Sequence, residues 1–175
     1  YFKVEGVEPS KVAREKAQKK HIRLKKELSE ISDKYNIITM WHVLEHVPNL
    51  EQQFKEFHRL LNDDGLLVIA VPNYKSKDAD IYKEYWAAYD VPRHLWHFSK
   101  KGIQTLFFEN GFQLFHSKGL KFDSFYVSML SEKYKSGADK LGLGHMIKGF
   151  LKGMKSNMKA KNGEYSSQIY VLTHK

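Results

Sequence analysis

The sequence predicts an α/β domain on a mostly parallel sheet, and three stretches carry that reading. Ile37-Ile38-Thr39-Met40, after the polar pair Tyr35-Asn36, is apolar and β-branched without alternation, the pattern of a fully buried parallel strand. Leu66 to Val71 (LLVIAV) is a longer run of the same kind, closed by Pro72-Asn73. Between them Leu50, Phe54, Phe57 and Leu60-Leu61 recur three or four apart, giving an amphipathic helix broken at Asn62-Asp63-Asp64-Gly65. Strand, helix, strand at this spacing is a βαβ unit with a right-handed crossover.

The totals bound what surrounds that unit. A chain of 175 residues, 42% hydrophobic and 28% charged, suits one globular domain over 1–175. With no cysteine, disulfides, zinc–thiolate sites and thiol nucleophiles are excluded. No apolar run is long enough to span a bilayer and no signal-type segment opens the chain, so the expectation is cytoplasmic. The chain opens at Tyr1-Phe2 without an initiator Met, as if cut from something longer. The net charge of +9 concentrates in lysines at Lys16 to Lys26 and from Lys133 to Lys161, while acids hold the middle.

The remaining elements follow in order. Phe2 to Glu8 (FKVEGVE) reads as a short strand ending in an acid, and Pro9-Ser10 as a turn with Ser10 capping a helix to about Lys20. His21 to Leu24 alternates weakly, as a second strand, before a turn at Glu27-Leu28 and the central strand. After the βαβ unit, 74–97 is irregular and aromatic-rich and contains Asp90-Val91-Pro92-Arg93-His94; it reads as a lid over the sheet's ligand edge. Ser99 caps a helix with Ile103, Leu106 and Phe107 inward, stopped at Asn110-Gly111, and Phe112 to Phe115 starts a strand. Leu120 to Leu130 has mixed periods and yields no single element. In 133–162, a basic insert, Met146, Ile147, Phe150, Leu151, Met154 and Met158 keep helical spacing between lysines; Ser167 to Thr173 is a closing strand.

Four landmarks make this pattern specific: GVEPS (Gly6 to Ser10), ITMWHVLEHVPN (Ile38 to Asn49), LLNDDGLLVIAVPN (Leu60 to Asn73) and DVPRHLWHFSKKGIQTLFFENGF (Asp90 to Phe112). Together they resemble the class I S-adenosylmethionine-dependent methyltransferases, most closely the quinone-type and small-molecule O-methyltransferase branch. The resemblance implies a Rossmann-like sheet with an antiparallel C-terminal strand and S-adenosylmethionine as cofactor. The family's first strand and its glycine-rich loop have no counterpart before Glu8, so the expectation is the family sheet with that strand missing. Its neighbours would then lose hydrogen-bond partners, and cofactor affinity would be impaired.

Residue by residue, the resemblance implies that Glu8 binds the ribose hydroxyls, that Glu27 and Leu28 meet the adenine, and that Met40, Trp41 and His42 line the cofactor. One carboxylate can accept from two vicinal hydroxyls, and an indole stacks on flat or cationic groups. Met40 reads equally well as core. On the acceptor side stand His46, as general base, His94, and Arg93, which can clamp a carboxylate or phosphate or pair with a surface acid. Some relatives carry an acid where His42 stands and bind a divalent metal there; no metal is assigned here.

The implied reaction is methyl transfer, most simply to oxygen, on a small-molecule, lipid-linked or sugar-linked acceptor. A non-catalytic interaction module of the same fold is one alternative. A nucleic-acid protein is another, but RNA-binding sheet motifs are absent and nucleic acid is not expected as a partner. The stretch 145–159 reads either as a helix on an anionic membrane surface or as a solvated cover for the sheet, and a homodimer would fill the missing strand's place.

Overall fold

The computed structural model describes residues 3–160 and 163–175. Helix α1 (Lys11–Gln18) starts as the sequence predicts, with Ser10 Oγ accepting from Ala13 N at 3.4 Å. The strands expected on either side of it do not form. Of the first, Phe2 lies outside the described residues, and Val7 makes one parallel bridge to Lys25. His21 to Leu24 is turn and irregular backbone, with His21 at a φ of 60°. Two short parallel segments with no third neighbour and little buried surface, Val4 being 83% exposed, cannot sustain a ladder.

The βαβ unit is present. Strand β1 (Tyr35–Trp41) leads through a short turn at Leu44–His46 to α2 (Leu50–Leu60), which Asn49 caps, and on to β2 (Leu61–Pro72), parallel to β1. One expectation is corrected here. β1 is not fully buried, because among the described residues it is paired on one side alone; Ile37 is 56% exposed and Trp41 50%. That open flank agrees with the predicted absence of the family's first strand.

A short helix α3 (Lys77–Tyr82) and two helical turns at Lys83–Tyr85 and Ala87–Tyr89 follow β2, then α4 (Lys100–Glu109), capped by Ser99 as expected. Strand β3 (Phe112–Gly119) comes next, and the stretch of mixed periods after it becomes α5 (Asp123–Ser136). Helix α6 (Leu143–Met158) and β4 (Ser167–His174) close the chain. The sheet order is β1-β2-β4-β3, and β4 is antiparallel to both neighbours, so three strands run one way and β4 against them.

The core lies between β2, β4 and the helices α2 and α4. Phe54, Phe57, Phe107 and Phe112 pack edge-on or offset there, with Leu67, Ile69 and Leu172 beneath them. At the carboxyl ends of β1–β3 a second layer forms from α3, the turns after it, α5 and α6. Its hub is the buried Asp78, whose carboxylate accepts from Trp86 Nε1 at 2.8 Å, Ser156 Oγ at 2.7 Å and Ser166 Oγ at 2.6 Å. Three neutral donors satisfy one buried carboxylate, and they tie α3, α6 and the approach to β4 into one roof.

Candidate active site

Just beyond the tip of β1 the chain turns sharply, and His42 takes a left-handed φ of 51°, sparsely populated for a residue with a Cβ. Asp90, in the facing loop, has a φ of 40°. Unusual backbone of this kind persists where surrounding contacts over-determine it, and here they do. His42 N donates to Ala70 O at 2.9 Å, while the Glu45 carbonyl accepts from Leu95 N at 2.8 Å and from Trp96 N at 3.3 Å. Trp96 Nε1 donates to Val47 O at 2.7 Å. The loop that follows Pro92 is thereby sewn to the turn after β1.

Five titratable side chains, His42, Glu45, His46, His94 and Asp123, converge in that seam. His42 places Nε2 3.0 Å from Asp123 Oδ2 and Nδ1 3.3 Å from Glu45 Oε1. Hydrogen bonds to Asp123 and then Glu45 raise its pKa from 6.5 to about 9, so it is an imidazolium at neutral pH. Burial pushes Asp123 upward, but bonds from His42 and Ser167 outweigh it and hold the carboxyl below its ordinary value. Glu45 is fully buried, and its Oε2 has no hydrogen-bond partner.

His94 and His46 differ from His42. His94 Nδ1 donates to Ala88 O at 2.8 Å, and burial lowers its pKa, leaving a neutral ring with Nε2 unprotonated. That Nε2 lies 3.9 Å from Glu45 Oε1 and 3.8 Å from Asp90 Oδ2. His46 is exposed; its Nδ1 donates to Arg93 O at 3.0 Å, and its ring packs edge-on against His94 with centroids 4.6 Å apart. One donor atom each from Glu45, His46 and His94 lies within 4.8 Å of the others, a set that can gather around a divalent ion if it tightens.

The structure brings together His42, His46 and His94 of the expected residues and leaves others apart. The Arg93 guanidinium is engaged by Asp90, at 2.7 Å, rather than held open. Met40 packs against the core, and Trp41 presents its half-exposed indole at the tip of β1. Glu8 is partly buried, with Oε1 accepting from Ser10 N at 2.8 Å. Glu27 pairs with Lys26 at 2.7 Å, which lowers its pKa through the hydrogen bond and then the charge; Leu28 gives its carbonyl to Arg59 at 2.8 Å.

Sequence reasoning missed Asp123, which stands 81 positions from His42 in a stretch with no clean period, and it missed the isolation of Glu45 Oε2. A cleft of about 780 Å³ opens between Tyr74, α3 and the end of α6, and none of the five titratable side chains of the seam lines it. Lys75, Lys77, Lys83 and Lys159 line it together with Asp80, Glu84 and Glu164, so it does not select one sign of charge.

The residues present fit one side of S-adenosylmethionine. The Glu8 carboxylate suits vicinal hydroxyls, and an exposed indole at a strand tip suits a flat or cationic group. No glycine-rich loop faces them: Gly6 is the one glycine before Gly65.

Comparison with known proteins agrees with the fold. A methyltransferase-domain model matches residues 1–117. A cyclopropane synthase from Mycobacterium tuberculosis superposes with a TM-score of 0.61 at 15% identity, covering 97% of this chain and 69% of that one. An S-adenosylmethionine-dependent methyltransferase from Thermotoga maritima gives 0.62 at 19% identity, covering 97% and 72%. A geranyl diphosphate methyltransferase solved with S-adenosylmethionine gives 0.57 at 14%, covering 99% and 69%. No curated protein matches the sequence significantly. With the order β1-β2-β4-β3, the antiparallel β4 and a family match over more than half its length, the chain belongs to the class I methyltransferases, and its methyl donor is S-adenosylmethionine.

Proposed function

We propose that the chain methylates a hydroxyl oxygen of a small-molecule, lipid-linked or sugar-linked acceptor, with His46 as the general base. The observation that carries this reading is the His46 tautomer. Its Nδ1–H is spent on the Arg93 carbonyl at 3.0 Å, which leaves the Nε2 lone pair exposed at the carboxyl end of β1, where ligands bind in open α/β sheets.

When bound, the cofactor supplies an electrophilic sulfonium methyl group. The protein's part is to orient the acceptor and take its proton as the new bond forms. His46 Nε2 accepts that proton. His94, neutral and packed edge-on at 4.6 Å, holds the His46 ring without competing for the charge. His42, already protonated, cannot serve as the base; it braces the turn and places positive charge beside Glu45. On the cofactor side, Glu8, Trp41 and the backbone around His42 are the binding residues of this reading, with Glu27 and Leu28 at its adenine end. Arg93 orients His46 through its carbonyl.

A second reading has one observation in its favour. Glu45 Oε2 is buried without a partner beside His46 and His94, as a metal ligand would be. One assay separates the two. Transfer of labelled methyl to a panel of phenols, sugars and isoprenoid alcohols is measured for the wild type and for His46→Gln, with and without EDTA. The base reading expects His46→Gln to lower turnover about 10²- to 10⁴-fold, with cofactor affinity by calorimetry unchanged and EDTA without effect. Full activity in His46→Gln would overturn it, and complete loss with EDTA would favour the metal.

A further inference from the structure

Helix α6 is inside out for a helix that merely covers a sheet. Its buried positions are Gly149, Gly153 and Ser156, one narrow strip of small residues. That strip meets backbone: a Cβ at Gly149 would sit 2.4 Å from Met129 Cα, and one at Gly153 would sit 2.7 Å from Ser124 O. The two helices of the α5–α6 hairpin therefore touch main chain to main chain. Little room remains between them for large side chains.

The large side chains of α6 go elsewhere. Ile147, Leu151, Met154 and Met158 repeat at i, i+4, i+7 and i+11 along one face, and all are exposed, Ile147 by 54% and Leu151 by 53%. Phe150, stacked on Phe125 of α5 at 4.8 Å, joins that face to the hairpin seam while remaining 48% exposed. A second register, Lys148, Lys152, Lys155 and Lys159, repeats the same intervals along the adjoining side. No acidic residue occurs between Asp139 and Glu164. Helix α6 thus has three faces: small and inward, apolar and open, and cationic.

We propose that the apolar face of α6 docks on the surface of an anionic phospholipid bilayer, seated at the boundary of headgroups and acyl chains. Charge complementarity selects this occupant. A continuous lysine register beside exposed aliphatic residues matches anionic headgroups above acyl chains, whereas lysine is depleted at protein interfaces and two copies at +9 repel. Contact is peripheral, since among the described residues no helix is long and apolar enough to cross a membrane. The hairpin sits over the carboxyl ends of the strands, with Asp123 of α5 touching His42, so docking would bring the acceptor side towards the lipid. The proposal rests on the hairpin alone and not on the identity of the acceptor.

Co-sedimentation of the whole chain with vesicles tests it. Binding is expected to vesicles of phosphatidylcholine mixed with phosphatidylglycerol, to weaken with added salt, and to be absent from phosphatidylcholine alone. Ile147→Ser/Leu151→Ser and Lys148→Glu/Lys155→Glu should each lower the partition about tenfold or more, with far-ultraviolet circular dichroism unchanged because these positions are not in the core. Equal binding to neutral vesicles, or wild-type binding by the aliphatic variant, would overturn the proposal. So would a dimer in light scattering that Ile147→Ser/Leu151→Ser dissolves in a chain that binds no vesicle, since a second copy would then cover the face.

Discussion

His42 joins the turn after β1 to the first turn of α5 through Asp123, and that joint titrates. Its pKa rises from 6.5 to about 9 because both ring nitrogens face carboxylates, so the folded state binds the proton more tightly than the unfolded chain does. The stabilisation is complete below 6.5 and is lost as pH climbs from 6.5 through about 9. Melting temperature followed by differential scanning fluorimetry should therefore fall across that window in the wild type. His42→Gln should be less stable at pH 6 and should lack that part of the slope. An identical slope in both proteins would show that the joint contributes nothing. The three histidines at this site were visible in the sequence, but their distinct states were not. Their partners lie outside the motif: Asp123 for His42, the Arg93 carbonyl for His46, and, six residues back, the Ala88 carbonyl for His94.

At the scale of elements, α6 separates what periodicity tells from what it does not. The spacing of Met146 to Met158 places a helix, and a helix is there. Spacing alone assigns the apolar face to the core, yet the face that meets α5 is the glycine strip. The closeness of the two backbones decides this, because a Cβ at Gly149 would lie only 2.4 Å from Met129 Cα. Gly149→Val measures that contact. A valine in mid-helix is worth a few tenths of a kcal/mol over glycine by propensity, but its Cβ would force apart the backbones at Met129. The expected outcome is a net loss of about 1–3 kcal/mol in urea unfolding, with α2 and α4 undisturbed. Helix α5 was illegible for a related reason. Ser124, Ser128 and Ser131 are its buried positions, and a buried face of serines carries no hydrophobic signal.

For the whole molecule, the βαβ unit, α4, β3 and β4 were legible because each buries apolar residues at one clear period. Before β1, helix α1 was legible from its Ser10 cap, but the two strands expected around it do not form, because that segment buries little and takes its position from side chains. Lys3 pairs with Asp33 and Tyr35 bonds Glu5, while Arg59 donates to the carbonyls of Ile31 at 2.6 Å and Leu28 at 2.8 Å. Exposed polar links of this kind hold a segment weakly. Amide hydrogen exchange should therefore rank the molecule: residues 3–30 fastest, β1 intermediate, and β2 and β4, each paired on both sides, slowest. Protection of residues 3–30 equal to that of β2 would contradict this view of the fold.

The open flank of β1 also governs how the protein behaves in a concentrated solution. An unpaired strand edge that carries Ile37 and Trp41 is a template on which another molecule's backbone can add. What keeps two such edges apart is long-range repulsion between molecules of net charge +9. At about 0.15 M salt that repulsion reaches only about 8 Å. Concentrating the protein in salt therefore weakens its own safeguard against edge-to-edge association, and low ionic strength is the condition that preserves monodispersity.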